Sequence, residues 1–214
     1  MITLGIIGVV AALTLPALIQ NTQKKELEAG LKKGASEIAQ ALNMYQAENG
    51  VPITSDIGYH ELKPEIIKYF NVLTDCGFGR DDADTACIKN YGDADTDSKT
   101  YMNFNGTNSL NLGFFDDGQF VLTDGALILI ENNRGNVYVS IDVNGYNKRP
   151  NRLGQDLFMF QLDANGKLIP MGAEGTTYYN ANDAYCSKTS NNSMNGAGCT
   201  YKALSDPTFW KSLP

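Results

Sequence analysis

Three aspartates at alternate positions, Asp93, Asp95 and Asp97, have the spacing with which a calcium loop presents oxygen ligands to a hard cation. They lack the central glycine and the distal glutamate of an EF-hand, and solvated acidic turns have the same composition. Asp142 and Asn144 with Asp156 form a second possible oxygen cluster. Beyond calcium at one of these places, no cofactor is expected. The chain holds one histidine, His60, so any Ser-His-Asp, Cys-His or multi-histidine metal site would have to be built around that ring. No nucleophile–base pair accompanies it, and no enzymatic activity is expected. The four cysteines contain no Cys-x-x-Cys pair, which disfavours zinc and thioredoxin-like chemistry. Lys148-Arg149 with Arg152 is the one small basic cluster, and the net charge is −7, so no nucleic-acid partner is expected.

The elements that must carry these groups are distributed unevenly. The chain has 214 residues, 43% of them hydrophobic and 19% charged, which excludes the charge-rich disordered class. Its mean hydropathy of −0.26 hides an asymmetry. Residues 1–23 carry no charged side chain, and Ile2 to Ile19 is interrupted only by Thr3, Thr14 and Pro16. As a helix this stretch is about 27 Å long, close to the hydrocarbon thickness of a bilayer. It has no basic residue before it and is long for a signal peptide. The expected membrane or assembly face comprises Ile2, Leu4, Ile6, Ile7, Val9, Val10, Leu13, Leu15, Pro16, Leu18 and Ile19, with Pro16 expected to kink or loosen the helix. Downstream, Leu27, Leu31, Ile38, Leu42 and Tyr45 fall on one narrow stripe. Four lysines and four glutamates flank it, and Asn49-Gly50 with Val51-Pro52 ends it. Residues 2 to about 48 therefore read as one helix of about 70 Å, half of which must protrude into membrane or a neighbour.

The segment Ile6-Ile7-Gly8-Val9-Val10-Ala11-Ala12-Leu13-Thr14-Leu15-Pro16 resembles the N-terminal helix of type IV pilins and type II secretion pseudopilins. The Ile-Ile-Gly, the Ala-Ala pair and the proline eight residues after the glycine all fall in register. The resemblance covers about the first 25 residues. A weaker one runs from Ile141-Asp142-Val143-Asn144-Gly145 through Pro150 and Gly154 to Asp156-Leu157-Phe158-Met159-Phe160. It implies a structural subunit held in the bacterial inner membrane with its head in the periplasm, or assembled with like subunits in a cell-surface or secretion filament. It also implies leader removal and methylation of the new amine. The family's cleavage site and early glutamate would lie upstream of Met1, and a chain beginning inside its own first helix is the expectation. Some major pseudopilins bind calcium in the β region, which favours the oxygen clusters above. The alternative is a secreted adhesin or glycan-binding module whose N-terminus serves only for export.

Residues 51–214 are expected to form the head. Leu62 to Phe70 reads as a short helix, with proline and glutamate suited to its first turn. From about residue 100 the period changes to two. The expected strands are Thr100–Phe104, Leu110–Phe115, Gln119–Thr123, Leu127–Glu131, Val137–Asp142 and Leu157–Leu162, several joined by Asp-Gly or Asn-Gly turns that favour antiparallel hairpins. The fold class is α+β: a helical spine of residues 1–50 packed on an antiparallel sheet. In an exported head four cysteines read as disulfides, with three possible connectivities. Sequential pairing, Cys76–Cys87 and Cys186–Cys199, is expected because each closes a short polar loop. Tyr178, Tyr179, Tyr185 and Tyr201 are expected to pack under the tail or line an interface.

Overall fold

The computed structural model describes residues 2–78, 86–88, 101–133 and 135–214, apart from the side chains of residues 2–15, 17, 112 and 133. A single helix, α1 (Ile2–Asn49), continues through Pro16 and leads into the short α2 (Leu62–Ile66), which tightens into a 3-10 turn at Ile67–Tyr69. Six strands follow: β1 (Val72–Asp75), β2 (Gly118–Leu122), β3 (Leu127–Asn133), β4 (Asn136–Asp142), β5 (Leu157–Leu162) and β6 (Leu168–Pro170). They form one antiparallel sheet in sequence order, and a last helix, α3 (Cys199–Ser205), lies near the C-terminus. The fold is α+β, as the change from helical to two-residue period requires.

The apolar stripe of α1 builds the first core. Leu31, Ile38, Ala41 and Leu42 are buried, and Leu27, Ala35 and Tyr45 pack at its margin. Their partners are alternate residues of the sheet: Phe120 and Leu122, Ile128 and Ile130, Val137, Val139 and Ile141, Phe158, Phe160 and Leu162. Two glycines allow the approach. A Cβ on Gly34 would lie 2.2 Å from Cδ1 of Ile141, and one on Gly30 would lie 3.0 Å from Cβ of Val143. Lys33 of α1 also pairs with Asp124 in the β2–β3 turn.

The other face of the sheet is covered as well. Val121, Leu127, Leu129, Leu157 and Met159 point into a second core with Tyr101, Leu110, Phe115, Met171 and Met194. Burial on both faces is why β2 is inaccessible along its whole length. The covering loops are fastened by amides. Buried Asn195 bonds through Nδ2 to the carbonyls of Ser187 (2.8 Å) and Ser190 (2.9 Å). Asn103, Asn105 and Asn108 donate to the carbonyls of Asn192, Ser190 and Asn191.

The disulfides pair sequentially, Cys76–Cys87 and Cys186–Cys199, with Cα separations of 5.7 and 4.9 Å. Two expected strands are not strands. Within Thr100–Phe104 only Met102 bridges, to Ser109 and Arg152, while Thr100 lies outside the described residues. Leu110–Phe115 instead contains a 3-10 turn at Leu112–Phe114. There the Asn111 side chain accepts the Gly113 N–H at 2.9 Å, an Asx turn that diverts the chain from extension. The short elements β1, β6 and α3 have no counterpart in the sequence reading.

Candidate functional site

The first candidate surface is the exposed run of α1. Pro16, Leu18, Ile19 and Gln20 are exposed, and exposure continues through Glu26 except at Lys24. Leu18 and Ile19 remain 64% and 55% accessible despite being apolar. Leu27 begins the packed stripe. No helix among the described residues is long and apolar enough to cross a membrane. Of the residues expected to form the membrane or assembly face, only Pro16, Leu18 and Ile19 have described side chains.

The aspartates of the first expected calcium loop, Asp93, Asp95 and Asp97, lie outside the described residues. The second set is brought together at the ends of β4 and β5. Asp142 and Asp156 are both fully buried, and the Val143 N–H donates to the Asp156 carbonyl at 2.9 Å. Asp142 accepts the Tyr101 hydroxyl at 2.6 Å and the N–H groups of Asn144 (3.2 Å) and Gly145 (2.9 Å). Asp156 accepts the N–H groups of Asn151 and Arg152, each at 2.6 Å. The two carboxylates thus clamp the β4–β5 connection, which contains the cis Arg149–Pro150 bond.

Burial pushes Asp142 up to about 6, against the donors from Tyr101, Asn144 and Gly145. Burial and then the charge of Asp142 push Asp156 up to about 8. Burial and Asp142 also raise the Tyr101 phenol well above its ordinary range. Asn144 donates to the Arg149 carbonyl and Asn151 to the Tyr146 carbonyl, while both amide oxygens are buried without a hydrogen-bond partner. The carboxylate oxygens are thus all engaged by donors from the protein, and the two amide oxygens are the acceptors in this connection left without one.

A second acidic cluster was not anticipated. Asp116 and Asp117 precede β2, and Glu131 lies on β3; the sequence presents the first two only as a turn signal before Gly118. The Asp117 N–H donates to the Ile130 carbonyl at 3.0 Å, and the Asn132 N–H donates to Asp117 Oδ2 at 2.6 Å. Those bonds set Asp117 beside Glu131. Burial, then the charges of Asp117 and Asp116 and a side-chain hydrogen bond with Asp116, push Glu131 up to about 8. His60, with φ of 62°, is stacked between Tyr59 and Phe78, and its Nε2 lies 2.9 Å from Asp117 Oδ1. No serine or cysteine nucleophile is placed against that ring by any described contact.

Tyr178 and Tyr185 pack edge to face against the second core, whereas Tyr179 and Tyr201 are each 47% exposed. Lys148 and Arg149 are exposed on the β4–β5 connection, and Arg152 is half-buried against Gly106. The chain matches no protein-family model, and no characterised protein or solved structure matches it.

Proposed function

We propose that this chain is a structural subunit of a pilus or secretion pseudopilus, assembled with like subunits through the N-terminal half of α1. The observation that carries the reading is the division of that helix. Its second half buries one stripe on the sheet, whereas Leu18 and Ile19 expose apolar surface beyond it. A helix of 48 residues is about 72 Å long, far more than a head of this size can cover. Exposed apolar surface on an extended helix calls for a neighbour that buries it. In the sequence the helix continues from there without a charge back to Ile2, which suits residence in the inner membrane before assembly. Two disulfides suit a head that folds in an oxidising compartment.

Fractionation of expressing cells tests this reading. The full chain is expected in the membrane fraction, released only by detergent, while a variant lacking residues 2–23 is recovered soluble. A full chain equally soluble without detergent would sink the proposal. N-terminal mass spectrometry of native protein separates the alternatives: a methylated amine supports the filament subunit, whereas a mature start near Asn21 supports the secreted module.

Calcium at Asp142, Asn144 and Asp156 belongs to the same proposal, as a clip on the β4–β5 connection. Its support is the gathering of these oxygen-bearing residues at the ends of β4 and β5, where the Asn144 and Asn151 amide oxygens lack donors. Melting with calcium and with chelator tests it, and equal melting temperatures would dismiss it.

A further inference from the structure

We propose that Asp116, Asp117 and Glu131 form a binding site for a calcium-sized hard divalent cation, separate from the Asp142–Asp156 clamp. One carboxylate oxygen from each residue lies within 4.8 Å of the others. Calcium–oxygen distances of about 2.3–2.6 Å place two ligands of one ion at most about 4.6–5.2 Å apart, so these oxygens are close enough to share a calcium ion. Magnesium demands near-ideal octahedral geometry, which a strand-fixed set of three carboxylates supplies less readily than calcium's flexible coordination.

The second observation is an orphaned ligand. Glu131 is only 7% exposed, and its Oε2 has no hydrogen-bond partner. A buried carboxylate oxygen without a donor is costly, and a cation would satisfy it. Positive charge nearby is scarce among the described residues. His60 faces Asp117, but the neighbouring Lys63 is committed to Asp75 and to the Gly77 carbonyl.

The site is held on rigid elements. Glu131 lies on β3 and Asp117 immediately precedes β2, with Asp117 bonded through backbone and side chain to residues 130 and 132. Asn132 bonds through Nδ2 to the carbonyls of Ile57 and Gly58, each at 2.8 Å, and so ties the segment before α2 to the same strand. Glu131 also borders a cavity of about 790 Å³, open to solvent, together with residues 55–59 and Asn132. A bound ion would therefore join the segment carrying His60 to the β2–β3 ladder.

The test is calorimetric titration of the full-length chain, stripped with chelator in detergent micelles, with calcium chloride and separately with magnesium chloride. Melting temperatures are recorded in parallel. Calcium is expected to bind at least ten times more tightly than magnesium and to raise the melting temperature. E131Q and D116N are each expected to weaken the calcium site at least tenfold, whereas D156N leaves it in place. D116N alters the half-exposed member, so it keeps the test open if E131Q does not fold. No calcium binding by the wild-type chain overturns the proposal. So does a number of bound calcium ions that neither E131Q nor D116N lowers, or one that D156N alone reduces to zero. Magnesium binding as tight as calcium overturns the size assignment.

Discussion

The Tyr101 hydroxyl donates a 2.6 Å hydrogen bond to Oδ2 of Asp142, and neither side chain is accessible to solvent. The phenol lies on the chain that returns to the second core, and the carboxylate ends β4. Their bond therefore joins the covering loops to the sheet. A hydrogen bond to a buried charged acceptor contributes about 1.5–3 kcal/mol. Y101F keeps the ring against Phe115 and Tyr146 and removes only the donor. It is expected to lower the unfolding free energy by about 2 kcal/mol in urea titrations. A loss below about 0.5 kcal/mol would show that the bond is not a structural tie.

The buried acids predict an inverted dependence of stability on pH. Asp156 and Glu131 are pushed up to about 8 and Asp142 up to about 6, whereas unfolded carboxyls titrate near about 4. Between about pH 4 and pH 8 the folded chain therefore holds more protons than the unfolded chain, and stability falls as pH rises. The carboxyls held low, Asp124, Asp163, Asp183 and Asp206, are ionised in both states from about pH 5 upward and leave the slope there unaltered. For Asp124, burial pushes upward, but the Lys33 and Ala126 donors and the Lys33 charge outweigh it. In chelator, the urea midpoint should be higher at pH 5 than at pH 8, and the D156N/E131Q double variant should flatten the difference. A midpoint that climbs with pH in the wild type contradicts this assignment.

The Cys186–Cys199 bond closes a segment rich in Asn, Ser and Gly whose order otherwise rests on amide hydrogen bonds such as those of Asn195. With a sequence separation of 13, the chain-entropy model assigns it about 3 kcal/mol. Replacing both cysteines by alanine should lower the unfolding free energy by about that amount. It should also speed proteolysis within residues 187–198 under native conditions. Unchanged cleavage there would mean that the Asn103, Asn105 and Asn108 contacts suffice alone.

What could be read in the sequence was periodic. The stripe from Leu27 to Tyr45 repeats over enough positions to show which face of α1 is buried, and the apolar runs of β2 to β5, bounded by turn signals, are long enough to read as strands. The sequential cysteine pairs were accessible for a related reason, since each closes its own loop. The edge strands β1 and β6 span four and three residues, too short to establish a period. Leu110–Phe115 has a strand composition, but a single Asx contact at Asn111 redirected it. The acidic sites differ in the same way. Asp142 and Asp156 stand out as oxygen ligands near turns, while Glu131 reads as a strand residue. Its meeting with Asp117 depends on the β2–β3 register, which pairs Gly118 with Ile130, and no local pattern encodes that register.

The close approach of α1 to β4 makes the last prediction. Gly34 is buried, and Ile141, 1% exposed, occupies the space that a side chain there would need. Alanine at position 34 gains about 1 kcal/mol of helix propensity but must displace the Ile141 Cδ1 methyl inside a filled core, an overpacking cost of about 1–3 kcal/mol. G34A alone should therefore be neutral to destabilising by up to about 2 kcal/mol. I141V alone removes the obstructing methyl and should cost about 1 kcal/mol. Together the alanine methyl fills the space vacated by Cδ1, so the double variant should be more stable than the sum of the two, by about 1 kcal/mol or more. Urea unfolding of the four proteins measures this coupling. Strict additivity would mean that the helix is not seated against Ile141 through Gly34.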